Sequence, residues 1–195
     1  MSEIIGGVLG AFGLSASAGL NAYIPLLVVS LLAKFTNLIE LGEPWTALES
    51  WWVIGVLAVL GAVEIVADKV PVVDQVNDVV QSFIRPVAGA ILFATSAKSI
   101  TEINPVLSMI CGLLVAGSVN AAKSFVARPV IEATTAGVGT PVASTLEDVI
   151  ATVISVLSVI LPVLMIILVI LIVWWIVWLV RKFKSPKREA IESNV

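Results

Sequence analysis

From Val149 to Val180 the chain runs without a charged side chain, and that run alone removes most soluble folds from consideration. About 20 apolar residues, each rising 1.5 Å, cross the roughly 30 Å of a bilayer's hydrocarbon. Inside that layer the backbone must satisfy its own hydrogen bonds, which leaves helices or a closed barrel. The run is too long for one perpendicular helix, and Pro162 falls near its middle, where a missing N–H and a ring clash favour a break. We read two segments, Leu146 to Leu161 and Pro162 to Val180, with one long kinked helix as the alternative. Four further stretches have helical span character: Gly7 to Leu32, Trp51 to Val66, Ile84 to Ala97 and Val106 to Ala122. The expected fold is an all-α polytopic transmembrane bundle of about six spans, with Pro/Gly-interrupted or re-entrant segments. Residues 1–180 form one membrane domain and residues 181–195 a basic tail.

Composition agrees. Hydrophobic residues make up 59% of the chain and charged residues 13%, with a mean hydropathy of +1.09, against about 25% charged in a soluble domain. A net charge of −3 argues against a nucleic-acid partner, which calls for a basic face. The chain has one cysteine and no histidine, so an intramolecular disulfide, the usual zinc sites and Ser-His-Asp chemistry are out of reach. No cofactor is expected. Met1 to Gly10 lacks a basic n-region, so Met1 to Phe35 reads as a retained first span.

Orientation follows from lysine and arginine, which concentrate on the cytoplasmic side. The tail segment RKFKSPKR directly follows the last span. Placing it in the cytoplasm of a bacterial inner membrane, and walking back through six spans, puts both termini, the Asp68 to Ser82 loop and the Lys123 to Ser144 loop on that side. Only Lys34 and Lys98 then fall outside. Trp45, Trp51 and Trp52 mark the outer interface, and Trp174, Trp175 and Trp178 the inner one.

Two internal echoes align without gaps. GLSASAGLNA, from Gly13, matches GLLVAGSVNA, from Gly112, and brings Asn21 onto Asn120. PVVDQVNDVV, from Pro71, matches PVASTLEDVI, from Pro141, and brings Asp78 onto Asp148. Six spans make the copies cross in opposite senses at Asn21 and Asn120, as in transporters built from inverted repeats, while both Pro-led segments fall on the cytoplasmic side, so that one re-enters the membrane or the inversion is partial.

The charged segment VADKVPVVDQVNDVVQSFIRP, Val66 to Pro86, carries valines on one face and Asp74, Asn77, Asp78 and Gln81 on the other. It reads as a short amphipathic helix begun near Pro71 and capped by Asp74, lying in the headgroup region or re-entering the membrane. Ser144 with Glu147 fits a capping box. Asn21, Asn120, Glu64 and Arg85 fall within or at the ends of spans, where polar groups face a partner or a cavity. Glu64 and Asp68 share a helical face, and Arg85 shares one with Asp78. Lys123 is expected to snorkel to the interface. Small residues on the first and fourth spans allow close backbone approach there.

GLSASAGLNAYIPLL, EIVADKVPVVDQVNDVVQSFIRPVAGAILFA and VNAAKSFVARPVIEATTAGVGTPVASTLEDV together resemble the bacterial membrane family catalogued as domain of unknown function 4126, over roughly residues 8 to 170. The resemblance implies a polytopic membrane protein and supplies no catalytic residue to carry over.

The reading these features favour is a small channel or secondary transporter for an unidentified ion or solute, embedded in lipid as a homo-oligomer. Its path residues would be Asn21, Glu64, Asp68, Asp74, Asp78, Arg85, Asn120, Arg128, Glu147 and Asp148. Two other classes compete: a membrane scaffold or assembly factor, and an interfacial lipid-phosphate enzyme holding Mg²⁺ on Asp68, Asp74 and Asp78.

Overall fold

A computed structural model describes residues 2–97, 104–135 and 138–160, together with Leu171, Trp174, Trp175 and Trp178; the side chains of residues 2–5, 71, 72, 74, 75 and 97 are outside the description. The second half of the long apolar run, the choice at Pro162, Lys98, the basic tail and the Asp74 side chain therefore lie outside the described residues. All regular structure within them is helical: α1 (Ser2–Leu20), α2 (Tyr23–Phe35), a 3₁₀ turn at Trp45–Glu49, α3 (Trp51–Ala67), α4 (Pro71–Ala97), α5 (Pro105–Ala122), a π-helical turn at Lys123–Ala127, α6 (Arg128–Thr135) and α7 (Thr140–Ile160). Three stretches are long and apolar enough to cross a membrane, Val76–Ser96, Pro105–Thr135 and Thr140–Ile160. The protein is a membrane helical bundle.

Side-chain pairings fix the direction of every long helix. Phe12 meets Phe93 edge to face at 5.0 Å, and the Ser15 hydroxyl donates to the Gly89 carbonyl at 2.9 Å, so α1 and α4 are antiparallel. A Cβ added at Gly89 would stand 2.8 Å from the Gly112 carbonyl oxygen, whereas Arg85 reaches Asn120; α4 and α5 are antiparallel too. Ser17 bonds to Ala151, while Gly10 approaches Ser158, which sets α7 antiparallel to α1. Asn77 bonds to Asp68 and Arg85 to Glu64, so α3 opposes α4. Lys34 and Phe35 meet Trp51 and Tyr23 meets Gly61, so α2 opposes α3.

These directions correct several expectations. Because α2 is parallel to α4 and α1 antiparallel to it, the chain reverses at Asn21 and Ala22. The apolar run Gly7 to Leu32 is therefore two opposed helices instead of one span. Asn21 makes the reversal: its Oδ1 accepts from the backbone N–H groups of Tyr23 and Ile24, both at 3.0 Å, which satisfies two of the donors that a helix start leaves bare. Pro25 sits in the first turn of α2, where its lack of an N–H costs nothing. The N-terminus consequently shares the loop end of the bundle with residues 36–50, opposite the link end, where the turn of residues 68–70 lies. It does not lie beside the Asp68 to Ser82 segment.

The echoing segments also change meaning. α1 and α5 are parallel, as are α4 and α7, so the matched copies run in the same sense and the inverted arrangement does not hold. The Asp68 to Ser82 segment is the first half of a helix that continues through Pro86 to Ala97, so the short separate helix and the span from Ile84 are one element. It starts at Pro71, so Asp74 falls inside the helix and not at its cap. The expected loop from Lys123 to Ser144 is largely helical. Pro129 explains the π turn: its ring crowds the carbonyl four residues back, and the Arg128 N–H bonds five residues back to Lys123 instead. α7 begins at Thr140, which puts Ser144 and Glu147 inside the helix and excludes a capping box at Ser144.

On the loop-end side of Asn21, small residues allow the helices to touch backbone to backbone. A Cβ at Gly19 would meet the Ala116 carbonyl oxygen at 2.6 Å, and one at Gly10 the Ser158 carbonyl oxygen at 2.8 Å. Leu14, Leu26, Val29, Leu57 and Leu92 fill the space between them.

Candidate functional site: a buried ionic network where helices end

Where α1 and α3 end, α2 begins and α5 turns into its π segment, the bundle interior becomes polar. Arg85 of α4, completely buried, is the hub. Its Nη1 donates to Asn120 Oδ1 at 2.9 Å and its Nη2 to Glu64 Oε1 at 3.1 Å, while Asp78 Oδ1 stands 3.6 Å from Nη1. Asp78 also faces Arg128, with Oδ2 3.5 Å from Nη1. Arg128 extends the network to Asp68 at 3.8 Å and Glu147 at 3.5 Å, and donates to the Ser144 hydroxyl at 3.1 Å. Glu147 pairs with Lys123 at 2.7 Å, and Lys123 donates to the Leu20 carbonyl at 3.2 Å, one of the acceptors that the end of α1 leaves open. Asn77 donates to Asp68 at 2.7 Å, and Asn21 to Asp148 at 3.0 Å.

Helical geometry places each member. Asp78 and Arg85 are seven residues apart, two turns along one face of α4, the face opposite the exposed valines Val73, Val76, Val79 and Val80. Glu64 and Asp68 are one turn apart on α3. The π turn shifts the register of α5 and α6 so that Asn120, Lys123 and Arg128 all point inward and are buried. Widened turns of this kind recur at functional sites. Arg85 lies inside Val76–Ser96, one of the stretches long and apolar enough to cross a membrane. Charges within such a stretch cost a few kcal/mol each unless partnered, and every cation here has a carboxylate partner.

The network joins seven of the ten residues singled out in the sequence, Glu64, Asp68, Asp78, Arg85, Asn120, Arg128 and Glu147; Asn21 and Asp148 bond to each other beside it, and Asp74 has no described side chain. Both pairings expected on helical faces, Glu64 with Asp68 and Asp78 with Arg85, converge on it. Lys123 does not snorkel: it is buried and bonded to Glu147 and Leu20. A hydrophobic path to the interface is unnecessary when a carboxylate is closer. Ser144, read as a cap, accepts from Arg128 instead. Gln81 and Tyr23 were not among the candidates, yet Gln81 is buried and Tyr23 packs beside Gly61 of α3. Gln81 shares the polar face of α4, a signal already in the sequence. Tyr23 gave none, because only the reversal at Asn21 turns it inward. Asp68 and Asp78 face arginines, and among the described residues no group of carboxylates is arranged to hold a metal.

Residues 8–182 match the profile of a family described as a domain of unknown function, number 4126. The chain belongs to this family. Neither a curated protein nor a solved structure matches it. The matched range contains every residue of the network, so the site is part of what the profile spans and lies outside the basic tail.

Proposed function

We propose that this protein is a secondary transporter or channel for a small ion or solute, with the buried ionic network as its central site. The observation that carries this reading is the coincidence of charge and broken helices. α1 and α3 stop at the network, α2 starts there and the long stretch of α5 widens there into its π turn. Membrane interiors tolerate interrupted backbone where it is buried in protein or lines a cavity, and transporters use such helix ends to hold ions and substrates. A scaffold has no need of this arrangement, because a buried ion pair stabilises a fold less than apolar packing of the same volume. The interfacial enzyme loses its support, since Asp68 and Asp78 are held by arginines.

The ion pairs join four carboxylates, Glu64, Asp68, Asp78 and Glu147, to three cations, Arg85, Lys123 and Arg128, and Asp148 lies beside them, held by Asn21. That surplus favours a cationic solute or a coupling cation over an anion, which would have to displace carboxylates from every arginine. Asp78 and Glu147 keep 21% and 14% of their side chains accessible, which makes them the carboxylates that an arriving solute would meet first.

The test is flux. In proteoliposomes, imposed proton and Na⁺ gradients, followed with an internal pH dye and ²²Na⁺, should dissipate faster than in empty vesicles, and Asp78→Asn and Asp148→Asn should each slow this at least tenfold. Folded variants that keep full flux would remove these residues from the path. Absence of any flux in the unaltered protein would defeat the cation-coupled reading.

A further inference from the structure

We propose that Glu64 and Gln81 form a binding subsite for a monovalent cation, a proton or an alkali ion, which competes with Arg85 for the Glu64 carboxylate. The inference rests on the transport reading for its purpose and on separate atoms for its site. Glu64 gives Arg85 only its Oε1; Glu64 Oε2 and Gln81 Oε1 are fully buried acceptors without a hydrogen-bond partner among the described residues. Both side chains are essentially inaccessible, at 1% and 2%. Orphan buried acceptors are rare and call for an explanation.

Tyr23 supplies the third oxygen. Gln81 lies one turn from both Asn77 and Arg85 on the α4 face that bonds to Asp68 and Glu64, and Tyr23 at the start of α2 packs beside Gly61, three residues from Glu64 on α3, so its hydroxyl and the two orphan oxygens belong to one neighbourhood where α2, α3 and α4 meet. Oxygen acceptors of this kind suit a hard cation, and an unwound helix junction is where transporters place one. Arg85 Nε is the one orphan donor nearby. A water molecule would satisfy these atoms too, and binding measurements distinguish it from a cation.

Arg85 makes the site exchangeable. It already touches Asn120 and Asp78 as well as Glu64, so a cation arriving at Glu64 releases a guanidinium that keeps two partners. Asp78 is itself shared with Arg128, and Arg128 with Asp68 and Glu147, so occupancy at Glu64 is transmitted to the link end. The charged and titratable groups around Glu64 are Arg85 and Asp78 of α4, Asp68 of its own helix, Lys123 of the π segment and Tyr23 of α2. Of these, Arg85 is the one bonded to the Glu64 carboxylate.

Equilibrium binding to purified protein in detergent tests this without any transport assay. In choline chloride at constant ionic strength, NaCl, KCl and LiCl are titrated against the thermal midpoint, with ²²Na⁺ scintillation proximity as the direct readout. In parallel, difference infrared spectra are recorded across pH for a protonated carboxyl band. An alkali ion gives saturable ²²Na⁺ binding or cation-specific stabilisation. A proton gives no cation specificity but a titrating carboxyl band. Either signal should vanish in Glu64→Gln, weaken at least fivefold in Gln81→Leu, shift in Glu64→Asp and persist in the exposed control Glu132→Gln. If Glu64→Gln does not fold, Gln81→Leu, which breaks no ion pair, decides the matter. Neither signal in the unaltered protein means that water alone fills the site and overturns the subsite, as does a signal that survives in folded Glu64→Gln. Binding without flux would keep the subsite and defeat the transport reading, whereas flux without binding would do the reverse.

Discussion

The same four helices, α1, α4, α5 and α7, meet twice along their length and by opposite means. Toward the loop end they touch through glycine, alanine and serine, with Gly89 against Gly112 and Gly10 against Ser158, and serine hydroxyls bond to neighbouring carbonyls. About one turn from Gly89 along α4, they are held apart by the long side chains of Arg85 and its partners. Lipid offers helices no hydrophobic drive to associate, so the first region holds by close van der Waals fit. The second holds only while each charge keeps its partner. The glycine region has one low-energy arrangement, because packed backbones leave no alternative. The ionic region has several, since Arg85, Asp78, Arg128 and Glu147 each have more than one partner. Rigidity and exchange are thus separated along one bundle.

Three substitutions break or sharpen this contrast. Arg85→Leu strands Glu64 and Asp78 in the interior and should cost about 3–5 kcal/mol in unfolding experiments in detergent. Replacing Glu64 as well, in Arg85→Leu with Glu64→Leu, should recover part of that loss. A cost below about 1 kcal/mol for the single change would mean that the network is solvated and the two regions are not distinct. Gly112→Ala comes next. The added Cβ would meet the Phe93 Cβ at 2.6 Å, and overpacking of this kind costs about 1–3 kcal/mol. Full stability with unchanged flux would show that α4 and α5 can separate freely. The smallest effect belongs to Gly55→Ala on the exposed face of α3, where an added Cβ meets nothing within 4 Å. Gaining a better helix former, it should leave stability equal or raised by less than about 1 kcal/mol. A marked loss there would reveal a partner packed against α3.

The candidate site was more legible than the path of the chain. Asp78 and Arg85 announced themselves through two-turn spacing on an amphipathic helix, and Glu64 through its rarity in an apolar stretch. Asn21 and Asn120 were conspicuous as amides inside spans. The reversal at Asn21 was harder to read, because hydropathy reports whether residues prefer lipid and is blind to direction. Its signal is local: an asparagine followed four residues later by Pro25, a cap and a first-turn proline. Lys123 was misplaced for another reason. Snorkelling and burial suit the same position near a helix end, and the choice depended on Glu147, a residue 24 positions away.

Composition and the spacing of apolar residues determined that this chain is helical and lives in a membrane, because the bilayer imposes one length and one hydrogen-bonding rule on every segment. The periodicity of α4 determined which of its faces is polar. Only the tertiary structure decided that α1 and α2 are opposed, that the echoing segments run in the same sense, and that charges from four separate stretches of chain form one network. Those outcomes depend on pairings between residues far apart in sequence, whose energies arise only when the helices meet.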